Sequence, residues 1–545
     1  MYKQILDPVA HSLGWSSLVA ALPLAVLFVM LGVFRVRAWV AALTSLAVAL
    51  VIAVAVYGMP IGQAALAGSE GAVFGFFPIL WIVINAIWVY EMTVETGHFD
   101  VLRRSFATVS DDHRVQSIII AFSFGALLEA LAGFGTPVAV TSVMLLALGF
   151  KPLKAAVLSL VANTAPVAFG AMATPIITLA KVTGLSTDTL GAMVGRQTPI
   201  MAVFVPLVLV LIADGRRGLR ETWPVALTGG LAFGVAQYAT SNFLSVPLAD
   251  VVASLVSAGA VVAVVRIWRP QPENTRRAVI AGGAADTPTP EFAGRVEHPD
   301  SRSEILRAYA PYLIIIAVFV ICQISAVKNL LEKATYIVHW PGLHLSGPTG
   351  KALTLPSFTF NLLTTPGTQM LVAGILSMIV LRLSLGGALK AYGVTLHQLR
   401  WAIITVMAVL ALAFVMNASG QTITLGTWMA AAGGVFALIS PILGWLGVAV
   451  TGSDTSANSL FGALQVTAAA KAGLSPVLMA AGNSSGGVLG KMISPQNLAI
   501  VAGAVGVHGK EGDIFRKVVI WSLVFLVFMC ALSGLQASVL SGMVL

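Results

Sequence analysis

Three ionisable residues stand alone in long apolar runs. Glu129 is the only charged residue between Arg114 and Lys151. Asp454 is the only one between Arg400 and Lys471, and Lys491 the only one between Lys471 and Lys510. Charge within an apolar span is expensive and is kept where it does a task. An apolar setting favours a carboxylate's protonated form, so Glu129 or Asp454 could take up and release a proton. Lys491 could meet the carboxylate of a small anion, which loses hydration on entering such a site and needs a positive partner. The structural alternative is an Asp454–Lys491 ion pair that ties two segments together.

These residues lie in or beside two stretches that repeat. NTAPVAFGAMATP at 163–175 aligns with NSSGGVLGKMISP at 483–495. Counted from Asn163 and Asn483, both carry Ser or Thr next (Thr164, Ser484), then Gly170 and Gly490, Met172 and Met492, Thr174 and Ser494, and finally Pro175 and Pro495. Upstream, GFKP at 149–152 corresponds to GLSP at 473–476, and GFGTP at 133–137 to GSDTS at 452–456. Close helix packing explains much of the Gly and Ala. It does not explain a repeated Asn-Ser/Thr start and Ser/Thr-Pro finish. Repeats broken by Gly and Pro within apolar segments mark secondary transporters. The stretch 116–149 is too short for two full spans and a turn, each span needing about 20 residues. It reads as a re-entrant hairpin with its tip at Gly133–Pro137, and a second hairpin turns at Gly452–Ser456. The Asn163–Pro175 and Asn483–Pro495 segments read as broken helices whose free backbone groups face a wet cavity.

The elements that must carry these motifs are membrane helices. Of 545 residues, 58% are apolar and 10% charged, against roughly 25% charged in ordinary soluble domains. That excludes a cytosolic enzyme, a nucleic-acid module and a secreted disulfide scaffold. Apolar runs lie near 15–34, 38–58, 74–93, 197–213, 222–241, 246–265, 308–326, 369–385, 401–417, 422–440 and 518–540. With the zones 116–181 and 441–507, the expectation is an all-α polytopic membrane protein of about 12–14 segments. The runs are too long and continuous for a β-barrel. The net charge of +9 reads as basic cytoplasmic loops rather than a nucleic-acid surface. Basic residues cluster at Arg35/Arg37, Arg103/Arg104/Arg114, Arg216/Arg217/Arg220, 266–307, Arg382/Lys390/Arg400 and Lys510/Arg516/Lys517. Placing all six in the cytoplasm leaves both termini outside. The expected organisation is N-terminal spans over 1–115, the first repeat and following spans over 116–265, a polar cytoplasmic linker over 266–307, spans over 308–440 with an outer loop at 327–367, and the second repeat with the last span over 441–545. The repeats are expected to be inverted. That requires one misread span, and 422–440 is the weakest. His339 and His344 in the outer loop, with Glu332, make a poor metal set. Cys322 and Cys530 both lie in apolar runs and imply no disulfide framework. The N-terminus carries no sign of a removable signal peptide. No metal, cofactor or catalytic constellation is expected. GSD at 452–454 matches part of an intramembrane aspartyl protease motif, but that chemistry needs a second Asp facing it.

At EALAGFGTPVAV (129–140), NTAPVAFGAMATP, TGSDTSANSLFGALQ (451–465) and GNSSGGVLGKMISPQN (482–497) the chain resembles the bacterial lactate permease family, which includes L-lactate and glycolate permeases. The resemblance covers nearly the whole chain. It implies an inner-membrane carrier that imports a small 2-hydroxymonocarboxylate with a proton, and kinship with the wider ion-transporter superfamily. The expected substrates are L-lactate, glycolate and D-lactate. The alternatives are a sodium-coupled carboxylate carrier and, more remotely, a membrane protein that transports nothing. The candidate substrate site comprises Gly133, Gly135, Thr136, Asn163, Thr164, Thr455, Ser456, Asn458, Asn483, Ser484, Ser485 and Lys491. Glu129 and Asp454 are the candidate proton-coupling pair. The partners implied are the anion, a proton and the lipid bilayer, with no nucleic acid; oligomeric state stays open.

Overall fold

A computed structural model describes residues 2–107, 110, 112–133, 135–268, 301–350, 352–353, 356–507 and 510–545. Among these residues ten helical stretches are long and apolar enough to cross a membrane, Gln421–Thr451 being counted through its kink at Gly433, and the bent pair Pro152–Ala162 and Val167–Thr183 makes an eleventh. Two shorter apolar helices, Thr136–Ala147 and Pro366–Val380, bring the set within the expected range. The linker expected over 266–307 lies largely outside the described residues. Helix Ala249–Ile267 runs into its start, and helix Arg302–Gln323 takes up its end behind a Ser301/Glu304 capping box, in which each side chain satisfies an orphan amide of the other's backbone.

The first repeat begins with a hairpin. Its first arm runs from His113 to Leu131 and its second from Thr136 to Ala147. The tip turns on Gly133 (φ +46) and Gly135 (φ +86), left-handed values that a side chain resists. Phe134, between them, lies outside the described residues. The second hairpin joins Phe436–Thr451 to Asp454–Ala472. It turns on Gly452 (φ +74), and Ser453 caps the following helix by accepting from the Ser456 amide. The run 422–440 is not a continuous span. Helix Gln421–Met429 ends in a tight turn at Ala430–Val435, where Gly433 has φ +54, and the rest is the hairpin's first arm. Glycines let this arm lie on its neighbour. A Cβ at Gly486 would run into the Pro441 carbonyl, and one at Gly444 into that of Asn483.

Each hairpin is followed by a broken helix that starts on a proline. In the first repeat Pro152–Ala162 and Val167–Thr183 meet at 64°. In the second, Pro476–Gly490 is followed by a turn at Lys491–Ile493 and helix Pro495–Ala504. The repeated Ser/Thr-Pro finish now has a physical reason. Proline has no amide to offer the carbonyl four residues back. For Pro175 that carbonyl is Ala171, which accepts from the Thr174 hydroxyl at 2.5 Å. For Pro495 it is Lys491, which accepts from the Ser494 hydroxyl and Asn497 Nδ2, both at 3.0 Å. The first break is also strained. Ala171, Met172 and Ala173 all have left-handed φ, at +43, +56 and +60, costing about 1–3 kcal/mol each.

The remaining helices frame the repeats. Ile61–Glu95 and Leu385–Ser419 lie side by side. The stretch 327–367 holds a two-stranded antiparallel ribbon, Thr335–His339 on Ser357–Asn361. Strand Leu345–Ser346 pairs in parallel with Tyr2–Lys3 at the N-terminus.

Candidate functional site

The two hairpins and two breaks converge on one polar centre. Glu129, four residues before the first tip, is 3% exposed. Its Oε2 accepts from Asn163 Nδ2 at 2.9 Å, and Lys491 Nζ from the second break lies 2.5 Å from its Oε1. Lys491 thus pairs with Glu129 across the repeats, not with Asp454, the structural alternative that the sequence offered. Asp454 opens the second arm of its own hairpin, and its Oδ2 is already taken by the Ser484 hydroxyl at 2.6 Å and Asn458 Nδ2 at 3.4 Å. Its Oδ1 is buried without a hydrogen-bond partner among the described residues.

Behind these carboxylates stands a chain of amides. Asn483 Nδ2 donates to Asn458 Oδ1 at 2.9 Å, and Gln465 Nε2 to Asn483 Oδ1 at 3.1 Å. Asn458 Nδ2 also reaches the Pro175 carbonyl at 3.2 Å, bridging the second hairpin to the first broken helix. Each donor has a fixed acceptor, so the amides hold the hairpin tips in register.

A cavity of about 1350 Å³ opens between these elements. Glu129, Gly133, Asp454, Thr455, Ser456 and Lys491 line it, and Arg35, Arg37 and Arg400 stand with Glu511 on its wall. The other expected residues are placed differently. Asn163, Asn458, Asn483 and Ser484 support the two carboxylates from behind. Thr164 and Ser485 are buried with hydroxyls that find no partner among the described residues. Thr136 starts the hairpin's second arm. A Cβ at Gly135 would press on Ile500 of the second repeat. Gly170, named as a repeat position but not among the candidate site residues, matters more: a Cβ there would stand 2.8 Å from Glu129 Oε1.

Sequence reasoning missed Glu70 and Asp250, both fully buried. The signal that found Glu129 applies to them as well. Glu70 is the only charge between Arg37 and Glu91, and Asp250 the only one between Glu221 and Arg266. Lys181, near the end of the first broken helix, turns inward. Its Nζ donates to the Ser357 carbonyl at 2.8 Å and sits 4.0 Å from Glu70 Oε1.

A multi-helix membrane protein in which two hairpin tips and two helix breaks enclose a charged cavity has the build of a secondary transporter. The sequence places it more narrowly. The chain belongs to the L-lactate permease family, whose pattern it matches over residues 16–540. It is 41% identical to the glycolate permease GlcA of Escherichia coli K12, with 97% of each chain covered. It is 39% identical to an L-lactate permease of Bacillus subtilis and 40% identical to one of E. coli K12, with all of each chain covered. These relatives are permeases, and this protein is a transporter, not an enzyme. Among solved structures it is similar to Neisseria gonorrhoeae MtrF, of a class of antimetabolite efflux pumps, at a TM-score of 0.46 and 15% identity, covering 86% of this chain and 83% of that one.

Proposed function

We propose that this protein imports L-lactate and related 2-hydroxymonocarboxylates, glycolate and D-lactate among them, by symport with a proton across the inner membrane of a bacterium. The names of its relatives support the substrate class. The observation that carries the coupling is the Lys491–Glu129 pair on the cavity wall. With the cavity empty, the ammonium and carboxylate neutralise one another. An anion arriving at Lys491 must displace Glu129, which would leave an uncompensated charge in a low-dielectric site. Such a charge costs several kcal/mol. A proton on Glu129 removes that cost. The loaded site then holds an ammonium, a neutral acid and one carboxylate, and its net charge equals that of the empty site. Anion without proton, or proton without anion, leaves the site charged. Both are disfavoured in any state that must move through the membrane, so the two are carried together. Thr455 and Ser456 offer hydroxyls for the substrate. Asp454 adds a second carboxylate beside them.

We also read the repeats as inverted. The open end of the first hairpin is tied to Asp214 and Glu221 through Arg114, at 3.2 and 2.6 Å, beside the basic cluster at 216–220. On this reading the second hairpin's open end lies toward the opposite side. Its Leu464 and Thr467 meet Gly426, and Thr424 nearby accepts from Tyr57 and donates to the Leu6 carbonyl at the N-terminal end of the fold. With the basic clusters in the cytoplasm, the cavity faces inward.

Uptake of labelled lactate and glycolate into proteoliposomes tests the proposal. Accumulation is expected when a pH gradient, acid outside, is imposed without sodium. Accumulation that follows a sodium gradient and ignores pH would refute proton coupling.

A further inference from the structure

On the far side of the cavity from its arginines lies a second lysine–carboxylate pair. Glu70 is fully buried in helix Ile61–Phe74, and neither of its oxygens has a hydrogen-bond partner among the described residues. Lys181, near the end of the first broken helix, stands 4.0 Å from it. The ammonium is ringed by Phe74, Phe358 and Phe414, with ring centres 5.7, 5.9 and 6.0 Å away. It donates to the Ser357 carbonyl of the ribbon. Three separate parts of the fold therefore meet at one lysine: the repeat, the long framing helices and the 327–367 stretch.

The place of this pair relative to the cavity is fixed by one helix. Leu385–Ser419 carries Arg400 on the cavity wall and Phe414 at the lysine. Fourteen residues of helix separate them by roughly 20 Å. Ala171 and Val406 line the cavity and belong to the same apolar cluster as Phe74, Phe358 and Phe414. The aromatic layer thus packs behind cavity-lining residues, and the Lys181–Glu70 pair lies within it. Lys181 is the charged group facing Glu70. Helix Leu385–Ser419 and strand Ser357–Asn361 bring Phe414 and Phe358 to the site, neither of them ionisable. A carboxylate this buried, whose one charged partner among the described residues is a lysine 4.0 Å away, is costly for a purely structural tie.

We propose that Glu70 is the group that takes up a proton on the outer side of the transport cycle, with Lys181 as its partner while that side is closed. Protonation of Glu70 releases Lys181, loosens the aromatic layer from the first broken helix, and opens the cavity outward with a cation exposed for the incoming carboxylate. This inference rests on the proton-coupled reading above and adds a residue that gates access from the acidic side. It predicts that outer opening depends on external pH through Glu70, whereas anion capture depends on Glu129.

Wild type, Glu70→Gln, Glu70→Asp and Lys181→Met are compared in proteoliposomes for accumulation driven by a pH gradient, for exchange of internal against external lactate at equal pH, and for thermal stability. Glu70→Gln, a permanently neutral stand-in, should lose accumulation at least tenfold, keep more than about a third of exchange, and show a weaker dependence of exchange on external pH, leaving only that of anion capture at Glu129. Glu70→Asp should restore part of the accumulation. Lys181→Met should also uncouple, since the closed side is no longer held. Wild-type accumulation by Glu70→Gln overturns the proposal. So does a parallel loss of accumulation, exchange and stability in Glu70→Gln that Glu70→Asp does not relieve, because that is the mark of a structural tie. A wild type that ignores the pH gradient would instead refute proton coupling itself, and this inference with it.

Discussion

Charge removal at Lys491 and Glu129 should change anion binding in opposite directions. Lys491→Gln takes away the ammonium on the cavity wall that lies 2.5 Å from a displaceable carboxylate. A hydrogen bond to a charged group contributes about 1.5–3 kcal/mol, so L-lactate affinity should fall about 10- to 150-fold. Lys491→Arg should keep part of it, because charge is retained but shape is not. Glu129→Gln removes the group that competes with lactate for Lys491, so it should tighten binding at alkaline pH. The sign for wild type follows by linkage. Binding of the anion takes up a proton, so affinity rises as pH falls, by up to about tenfold per pH unit. In Glu129→Gln that slope should flatten toward zero. Each single variant leaves one buried charge unpaired, which costs about 3–5 kcal/mol. The double variant Glu129→Gln/Lys491→Met, with both charges gone, therefore controls for folding. The assay is calorimetric titration of purified protein with L-lactate at several pH values. Wild-type affinity in Lys491→Gln would show that hydroxyls and helix ends hold the carboxylate alone. A loss of affinity in Glu129→Gln matching that in Lys491→Gln would show that the pair is only a structural tie.

Asp454→Asn should abolish accumulation driven by a pH gradient while Ser484 keeps an acceptor, and at least one of Asp454→Asn and Glu129→Gln should retain exchange; normal accumulation by both would remove the two carboxylates from the coupling. Gly170→Ala places a methyl 2.8 Å from Glu129 Oε1 and should reduce accumulation about tenfold or more, with an overpacking cost of about 1–3 kcal/mol, read from uptake and thermal unfolding of the same preparation. Gly486→Ala drives a Cβ into the Pro441 backbone and should lower the unfolding temperature. Gly393→Ala meets nothing within 4 Å and should raise it slightly, as alanine gains up to about 1 kcal/mol over glycine in a helix.

The sequence alone determined the class of fold and the parts of the site. Hydropathy decides membrane insertion locally, so most spans, the hairpin tips and both breaks could be read from runs of apolar residues interrupted by Gly and Pro. An isolated charge is equally visible, which is why Glu129, Asp454 and Lys491 stood out, and why Glu70 and Asp250 could have been found by the same test. The failure over 422–440 is also local in origin. Hydropathy reports an apolar run but not that Gly433 breaks it into an end helix and a hairpin arm. Partner choice was decided only by tertiary structure. Lys491 and Asp454 both belong to the second repeat, yet Lys491 reaches 362 residues back to Glu129, while Asp454 is held through one oxygen by Ser484 and Asn458 of its own repeat. A long cation near a helix end, such as Lys181, usually reaches toward solvent. Three aromatic rings and Glu70, from segments far apart in the chain, hold it inside instead. Ionic pairing depends on which side chains face one another at a few ångströms, and that is set by how the repeats dock rather than by the order of their residues.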